Sequence, residues 1–144
     1  MNKEYILYQS KYSKDMRESD KVLISTVSAV SKIGASVLDV GCSTGNFMNH
    51  LSKARSDLKV SGIDKHIESI DTALSRGLNA RVGDICESGD FGMFNTIITN
   101  ASLMFMNEEE YRKASLNIFS MLEVNGVWVA FDLFHQFFGN LTVN

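Results

Sequence analysis

The stretch Ser36 to Gly45, S-V-L-D-V-G-C-S-T-G, constrains the fold more than any other part of the chain. Val37, Leu38 and Val40 form a short apolar run, largely β-branched, between Gly34 and Gly41. That is the composition of a parallel strand covered on both faces. Asp39 interrupts the run. A carboxylate at the carboxyl end of such a strand is costly to bury without a partner, so it is expected to face the crevice in which open α/β sheets bind ligands. Gly41 and Gly45 let the backbone turn and come close to a ligand, and the helix that follows offers unpaired N–H groups. Asp39, Gly41, Cys42, Ser43 and Gly45 therefore read as a cofactor loop.

The next segment completes a β-α-β unit. Phe47, Leu51 and Ala54 mark the core face of a short helix, and Leu58 to Ile63 reads as a second strand ending in Asp64 and Lys65. An acid at the tip of the second strand, 19 residues past Gly45, can take both hydroxyls of an adenosine ribose, in a dinucleotide or in another adenosyl cofactor. Asp64 could equally cap the helix that carries Ile67, Ile70, Ala73 and Leu74, with His66 as a solvated residue in its first turn. The dinucleotide fingerprint requires three glycines, and Ser43 and Asn46 occupy two of those places. Asp39 would repel a pyrophosphate and attract an ammonium. The run Asp39-Val40-Gly41-Cys42-Ser43-Thr44-Gly45 resembles motif I of the class I S-adenosylmethionine-dependent methyltransferases, with Ser43 in place of the middle glycine. Residue 43 must then keep a φ that a serine can adopt.

The resemblance gives the later strands their meaning. Asn79 to Val82 is a short third strand followed by Gly83-Asp84-Ile85. The family implies that Asp84 accepts the adenine amine while the Ile85 backbone N–H meets a ring nitrogen; an acceptor beside a donor is what that edge requires. Only a polar loop, Glu87 to Met93, leads to a fourth strand, Phe94 to Thr99. Asn100 at its tip stands where the family's substrate-facing residues begin and is a candidate catalytic residue that orients an amine or hydroxyl. Leu103 to Met106 reads as core and pocket wall. Asn107 and Glu110 form a capping box for a helix whose core face is Tyr111, Ala114, Ile118, Phe119 and Leu122. Asn125-Gly126 turns the chain into a fifth strand, Val127 to Leu133, and His135 just past it is the histidine placed to act as a base. The family's sheet ends in an antiparallel hairpin that this sequence lacks. Phe131, Phe134, Phe137 and Phe138 would then lie near an uncovered strand edge, which points either to self-association through it or to a natural chain that continues beyond Asn144 and supplies the missing strands.

Before the sheet, Asp20 to Ile33 has helical spacing, and Tyr5, Tyr8 and Tyr12 lie in a segment that is often a lid in the resembled family. The expected organisation is an N-terminal segment over residues 1–18, a candidate lid, and a cofactor-binding domain over 19–144. The fold class is α/β, a doubly wound, Rossmann-like three-layer sandwich with a mostly parallel sheet of order 3-2-1-4-5. A net charge of −3 over 144 residues gives nucleic-acid binding no support, and no apolar run is long enough to span a membrane. The start M-N-K-E-Y lacks a signal peptide's apolar region, so a cytoplasmic location is expected. The cysteines, Cys42 and Cys86, have no metal-ligand spacing; no metal is expected. The resemblance implies S-adenosyl-L-methionine as cofactor and methyl transfer to O, N or C of a small-molecule acceptor. Two other classes stay open: a non-catalytic cofactor-binding or regulatory domain, and a nicotinamide-dependent reductase, which leaves Asp39 and Asp84 unexplained.

Overall fold

The computed structural model describes residues 3–132. His135, Phe134, Phe137 and Phe138 lie outside the described residues. The elements in chain order are α1 (Lys3–Lys11), α2 (Glu18–Val30), β1 (Ser36–Val40), α3 (Asn46–Ala54), β2 (Lys59–Asp64), α4 (Ile67–Ser75), β3 (Ala80–Val82), β4 (Phe94–Asn100), a 3-10 turn (Leu103–Phe105), α5 (Glu108–Ser120) and β5 (Leu122–Phe131). The strands form one sheet of order β3-β2-β1-β4-β5, and every pairing is parallel. Order and direction are those expected from the sequence, and they put all the strand tips on one side of the molecule.

Alternation along the central strands sends neighbours to opposite faces. Val37 and Ile98 pack with Leu23, Ile24 and Val27 of α2 and with Phe47 and Leu51 of α3. Leu38, Val40 and Ile97 pack instead with Ala114 and Ile118 of α5. Ile70 and Ala73 of α4 join Cys42, Met48 and Ala80 in a third cluster. Each fully buried aliphatic side chain contributes roughly 1.5 to 3 kcal/mol, so the two faces hold β1 and β4 from both sides. Where a helix would otherwise separate β3 from β4, Phe91 packs against the core. A cavity of about 240 Å³, lined by Leu38, Ser61, Gly62, Asn79, Arg81, Phe91 and Phe94, lies beneath that loop.

Several local expectations change. The helix read over Asp20–Ile33 begins at Glu18 and ends at Val30. Ser31 leaves it in an extended conformation, and its hydroxyl meets the Thr96 hydroxyl of β4 at 2.8 Å, while Ile33 is exposed. Ala54 of α3 is exposed, and in α4 Ile67 and Leu74 are exposed while Ser69, Ile70 and Ala73 are buried. The capping box is present, with Asn107 Oδ1 accepting from Glu110 N at 3.0 Å and Glu110 Oε2 accepting from Asn107 N at 2.9 Å. Of the residues assigned to the core face of α5, Ala114 and Ile118 are buried, Tyr111 and Phe119 are exposed, and Leu122 belongs to β5. Strand β5 starts before Asn125-Gly126, which form an irregularity inside it: Leu122 pairs with Phe94 and Val127 with Thr96. Asn125 absorbs the extra length at φ 64°. Among the described residues β5 pairs on one side only, with β4.

Candidate active site

A cleft of about 840 Å³ opens over the carboxyl tips of the strands. Asp39, Gly41, Cys42, Ser43, Asp64, Lys65, Asp84, Ile85 and Asn100 line it. Of the cofactor positions read from the sequence, Gly45 stands behind the lining, where its φ of 81° ends the turn and starts α3. It accepts from Asn49 N, and a side chain there would collide with Leu78.

The loop after β1 is held from within. Gly41 N and Cys42 N both donate to Ile63 O, at 2.8 and 3.0 Å, and Ser43 N donates to Asp64 Oδ2 at 2.9 Å. Three N–H groups that would otherwise cradle a phosphate are thereby committed to β2. A Cβ at Gly41, φ 74°, would lie 2.6 Å from Ser102 Cβ, so glycine is needed there for backbone and space alike. Ser43 adopts φ 51°, in the left-handed region that favours glycine. Its hydroxyl meets the Tyr5 hydroxyl at 2.9 Å. The Cys42 N–H is committed to Ile63, and its side chain packs in the core with Met48. Burial first, then Asp39 and Asp64, push its thiol well above the usual range.

Three acids occupy the tips of the first three strands. Asp39 is 2% exposed. Burial first, then the charges of Asp20 and Asp64, raise its carboxyl from 3.8 to about 8, against the opposing pull of Arg17. A ligand cation would relieve that position. Asp64 accepts from Ser43 N through Oδ2 and, through Oδ1, contacts His66 N and Nδ1, each at 2.9 Å. It therefore ties two loops together, and His66, solvated as expected with its side chain 56% exposed, also contacts that carboxylate. A carboxylate has about four acceptor positions, which leaves Asp64 room for a hydroxyl. Asp84 Oδ1 accepts from Cys86 N at 2.9 Å, and the Ile85 carbonyl is held by Asn117 Nδ2 at 2.6 Å. The loop that carries both is thus fixed to α5.

Other lining residues had no local signal in the sequence. Arg17, at the start of α2, binds Asp20 through Nε at 3.0 Å and Nη2 at 2.9 Å. Asp20 is 1% exposed and its Oδ1 also takes Asn100 Nδ2 at 3.2 Å. Helix α1 lies across the loop: Asn46 Nδ2 donates to Gln9, and His50 Nε2 meets Tyr12 O at 3.0 Å. The alternation of apolar residues in α2 gave its core face but not the pairing of Arg17 and Asp20, which joins residues across one helical turn and then to a strand 80 positions away. No group of three or more histidine, cysteine, aspartate or glutamate side chains suited to a metal ion occurs among the described residues. No described helix is long and apolar enough to cross a membrane.

Known proteins are similar to this chain in sequence and fold. The family model described as a methyltransferase domain matches residues 37–126. The carboxy-S-adenosyl-L-methionine synthase of Campylobacter fetus subsp. fetus is 33% identical over 101 residues, covering 66% of this chain and 43% of that protein. The enzyme of the same name from Campylobacter jejuni subsp. jejuni is 25% identical over 119 residues, covering 78% of this chain and 50% of that protein. The chain thus spans about half the length of the curated relatives it matches. A TehB-like S-adenosylmethionine-dependent methyltransferase from Corynebacterium glutamicum superimposes with a TM-score of 0.75 at 23% identity, covering 88% of this chain and 70% of its own. An S-adenosylmethionine-bound amino pentose methyltransferase from Micromonospora echinaspora gives 0.74 at 20% identity, over 89% and 56%. These two share the fold. With the methyltransferase model extending over well more than half of its length, the chain belongs to the methyltransferase domain family.

Proposed function

We propose that the cleft binds S-adenosylmethionine and directs its methyl group to an O, N or C of a small-molecule acceptor. The observation that carries this reading is the row of Asp39, Asp64 and Asp84 at successive strand tips in one cleft. Asp39 suits the cofactor's ammonium, Asp64 with Lys65 its ribose, and Asp84 with Ile85 the adenine edge. When bound, the cofactor supplies an activated sulfonium methyl that is displaced in line. The chain's contribution is alignment, which is worth several kcal/mol when the reacting atoms are held in an attack geometry. Asn100 at the tip of β4 would orient the acceptor, and His135 beyond β5 would serve where a base is needed. The commitment of the loop N–H groups to Ile63 and Asp64 argues against a pyrophosphate at this place, and with it a nicotinamide cofactor. Helix α1, with Tyr5 on Ser43 and Gln9 on Asn46, is proposed as a lid over the site.

Calorimetric titration with S-adenosylmethionine, S-adenosylhomocysteine, NADH and NADPH tests the reading. The adenosyl sulfur ligands should bind in the micromolar range or tighter, and tighter binding of either nicotinamide would overturn it. The names of the Campylobacter relatives support a second reading, in which S-adenosylmethionine is itself the substrate and becomes carboxylated. Mass spectrometry of the adenosyl product separates the two: S-adenosylhomocysteine marks methyl transfer, and an adenosyl product carrying an added carboxyl group marks the second.

A further inference from the structure

Helix α1 buries none of its residues, and its apolar side chains Ile6 and Leu7 are exposed. Its nine residues are also too few for a helix to hold itself in water, where about 12 to 15 are needed. Its place against the cleft therefore comes from hydrogen bonds, and these fall in register. Tyr5 and Gln9 of α1 and Tyr12, just past its end, share one helical face, and they meet Ser43, Asn46 and His50 in the same order along the loop and α3.

Asn46 is the centre of this register. Its amide is 5% exposed and engaged at both ends. Nδ2 donates to Gln9 O at 2.7 Å and to Gln9 Oε1 at 2.9 Å, and Oδ1 accepts from Arg76 Nη1 at 2.8 Å. Arg76, the residue that closes α4, donates through the same nitrogen to Thr44 O at 2.7 Å. A guanidinium has donors only, so it holds the oxygen end of the amide and turns the NH₂ group toward α1. Thr44 and Asn46 flank Gly45, where the cofactor loop ends. One half-buried arginine behind the loop thus sets the group on which α1 closes.

Building on the reading of α1 as a lid, we propose that the lid is a clasp closed by the Asn46 amide, with Arg76 as the positioning residue that aims it, so that closure over the ligand is set through the end of the cofactor loop. Opening breaks hydrogen bonds and uncovers no buried side chain of α1, which suits a segment that releases and re-forms each time a ligand enters or leaves.

Hydrogen exchange of the ligand-free whole chain, read by mass spectrometry over residues 3–11, tests the clasp. Gln9→Glu still offers oxygens to the Asn46 NH₂ group, so exchange there should stay within about twofold of the unmodified rate. Gln9→Glu/Asn46→Asp sets two carboxylates against each other while Arg76 keeps its acceptor, and exchange should rise by about tenfold or more, the size of one or two lost hydrogen bonds. Arg76→Met should raise it by about threefold or more, and should add nothing in an Asn46→Ala chain, since both changes disable the same amide. Exchange that rises as much in Gln9→Glu as in the double variant, an Arg76→Met effect that persists in full in Asn46→Ala, or a rise that spreads equally to β1 and β4 would overturn the assignment. The lid itself is read separately: Gln9→Ala, which adds no charge, should speed release of S-adenosylhomocysteine by about threefold or more. Release at the unmodified rate, although exchange in α1 has risen, would remove the lid reading, and the exchange comparisons, which need no ligand, would still decide the clasp.

Discussion

At the tips of β2 and β3, the acids that line the cleft have partners close in the chain: Asp64 has His66 two residues on and Ser43 across 21 residues, and Asp84 has Cys86 two residues on. At the tips of β4 and β5 the corresponding contacts are remote. Asn100 is set by Asp20 across 80 residues, and Leu103 N by Asp132 across 29. The acids of β2 and β3 are therefore set first by neighbours in the chain, with Asn117 of α5 closing on the loop after β3, whereas the tip of β4 takes shape only when α2 has docked on it and Asp132 has closed on Leu103.

The strongest way to break this comparison is Gly41→Val. The branched side chain would meet Ser102 and require a φ of 74°, a conformation costly for any β-branched residue. Binding of S-adenosylhomocysteine should be lost beyond about a hundredfold, and stability should fall by on the order of 2 kcal/mol or more. Calorimetry and thermal unfolding read the two effects separately; near-normal affinity in a folded variant would remove the loop from the site.

Asp64→Ala removes two roles at once. Hydrogen bonds to the ribose of the charged kind, each worth roughly 1.5 to 3 kcal/mol, make a loss of affinity of at least tenfold the expected result. An unchanged dissociation constant, with the fold intact by circular dichroism, would leave Asp64 only its link between Ser43 and His66.

Asp39→Asn sharpens the comparison through pH. The carboxyl, at about 8 in the folded chain against an ordinary 3.8, retains a proton that the unfolded chain has released between those values. Its contribution to stability therefore falls as pH rises from about 4 to about 8. Replacing it by the neutral amide should remove that decline and make the ligand-free protein more stable at pH 8, by on the order of 1 kcal/mol or more. Cofactor affinity should move the other way: in the unmodified protein it rises from pH 6 to 8 as Asp39 ionises, and in Asp39→Asn the rise is absent. Denaturation and calorimetry across that range check both, and a pH-independent affinity in the unmodified protein would contradict the role given to Asp39.

On the other side of the sheet, Trp128→Phe removes the hydrogen bond from Nε1 to Thr99 Oγ1, 3.1 Å, and alters the edge contact with Phe119. About 1 kcal/mol of stability should be lost, with affinity for S-adenosylhomocysteine unchanged. The smallest expected effect is that of Ser43→Gly. Relief of φ 51° should offset the lost Tyr5 contact and raise stability by a few tenths of a kcal/mol to about 1 kcal/mol, measured by chemical denaturation.

The same division decides what could be read from the sequence. Asp39 and Asp64 were legible from their places at the carboxyl ends of β1 and β2, whereas the role of Asp84 and the sheet order came from the family resemblance that the first loop carries. Ser43 stood out as a serine in a glycine's place, and the structure puts it at the positive φ that glycine would take. Arg17 and Asp20 carried no such mark, since a charged pair at the start of a helix looks like any solvated turn until Asn100 closes on it. The exposed Phe119 and Tyr111 misled for a related reason: helical spacing around α5 was right, but the width of the buried face depends on how the helix meets β5, and only Ala114 and Ile118 reach the core. The Asn125-Gly126 irregularity was read as a turn because turn chemistry and a bulge with positive φ use the same residues.

The most direct test of the cofactor side is an NMR titration of nitrogen-labelled protein with S-adenosylhomocysteine. The largest backbone amide shifts should fall on Gly41 to Gly45, on Asp64 and Lys65, and on Asp84 and Ile85, with the outer half of β5, from Leu122 to Gly126, left unchanged. Shifts that leave those three tips untouched, or none at ligand concentrations well above those of the calorimetric experiment, would contradict the assignment of the acid-lined cleft.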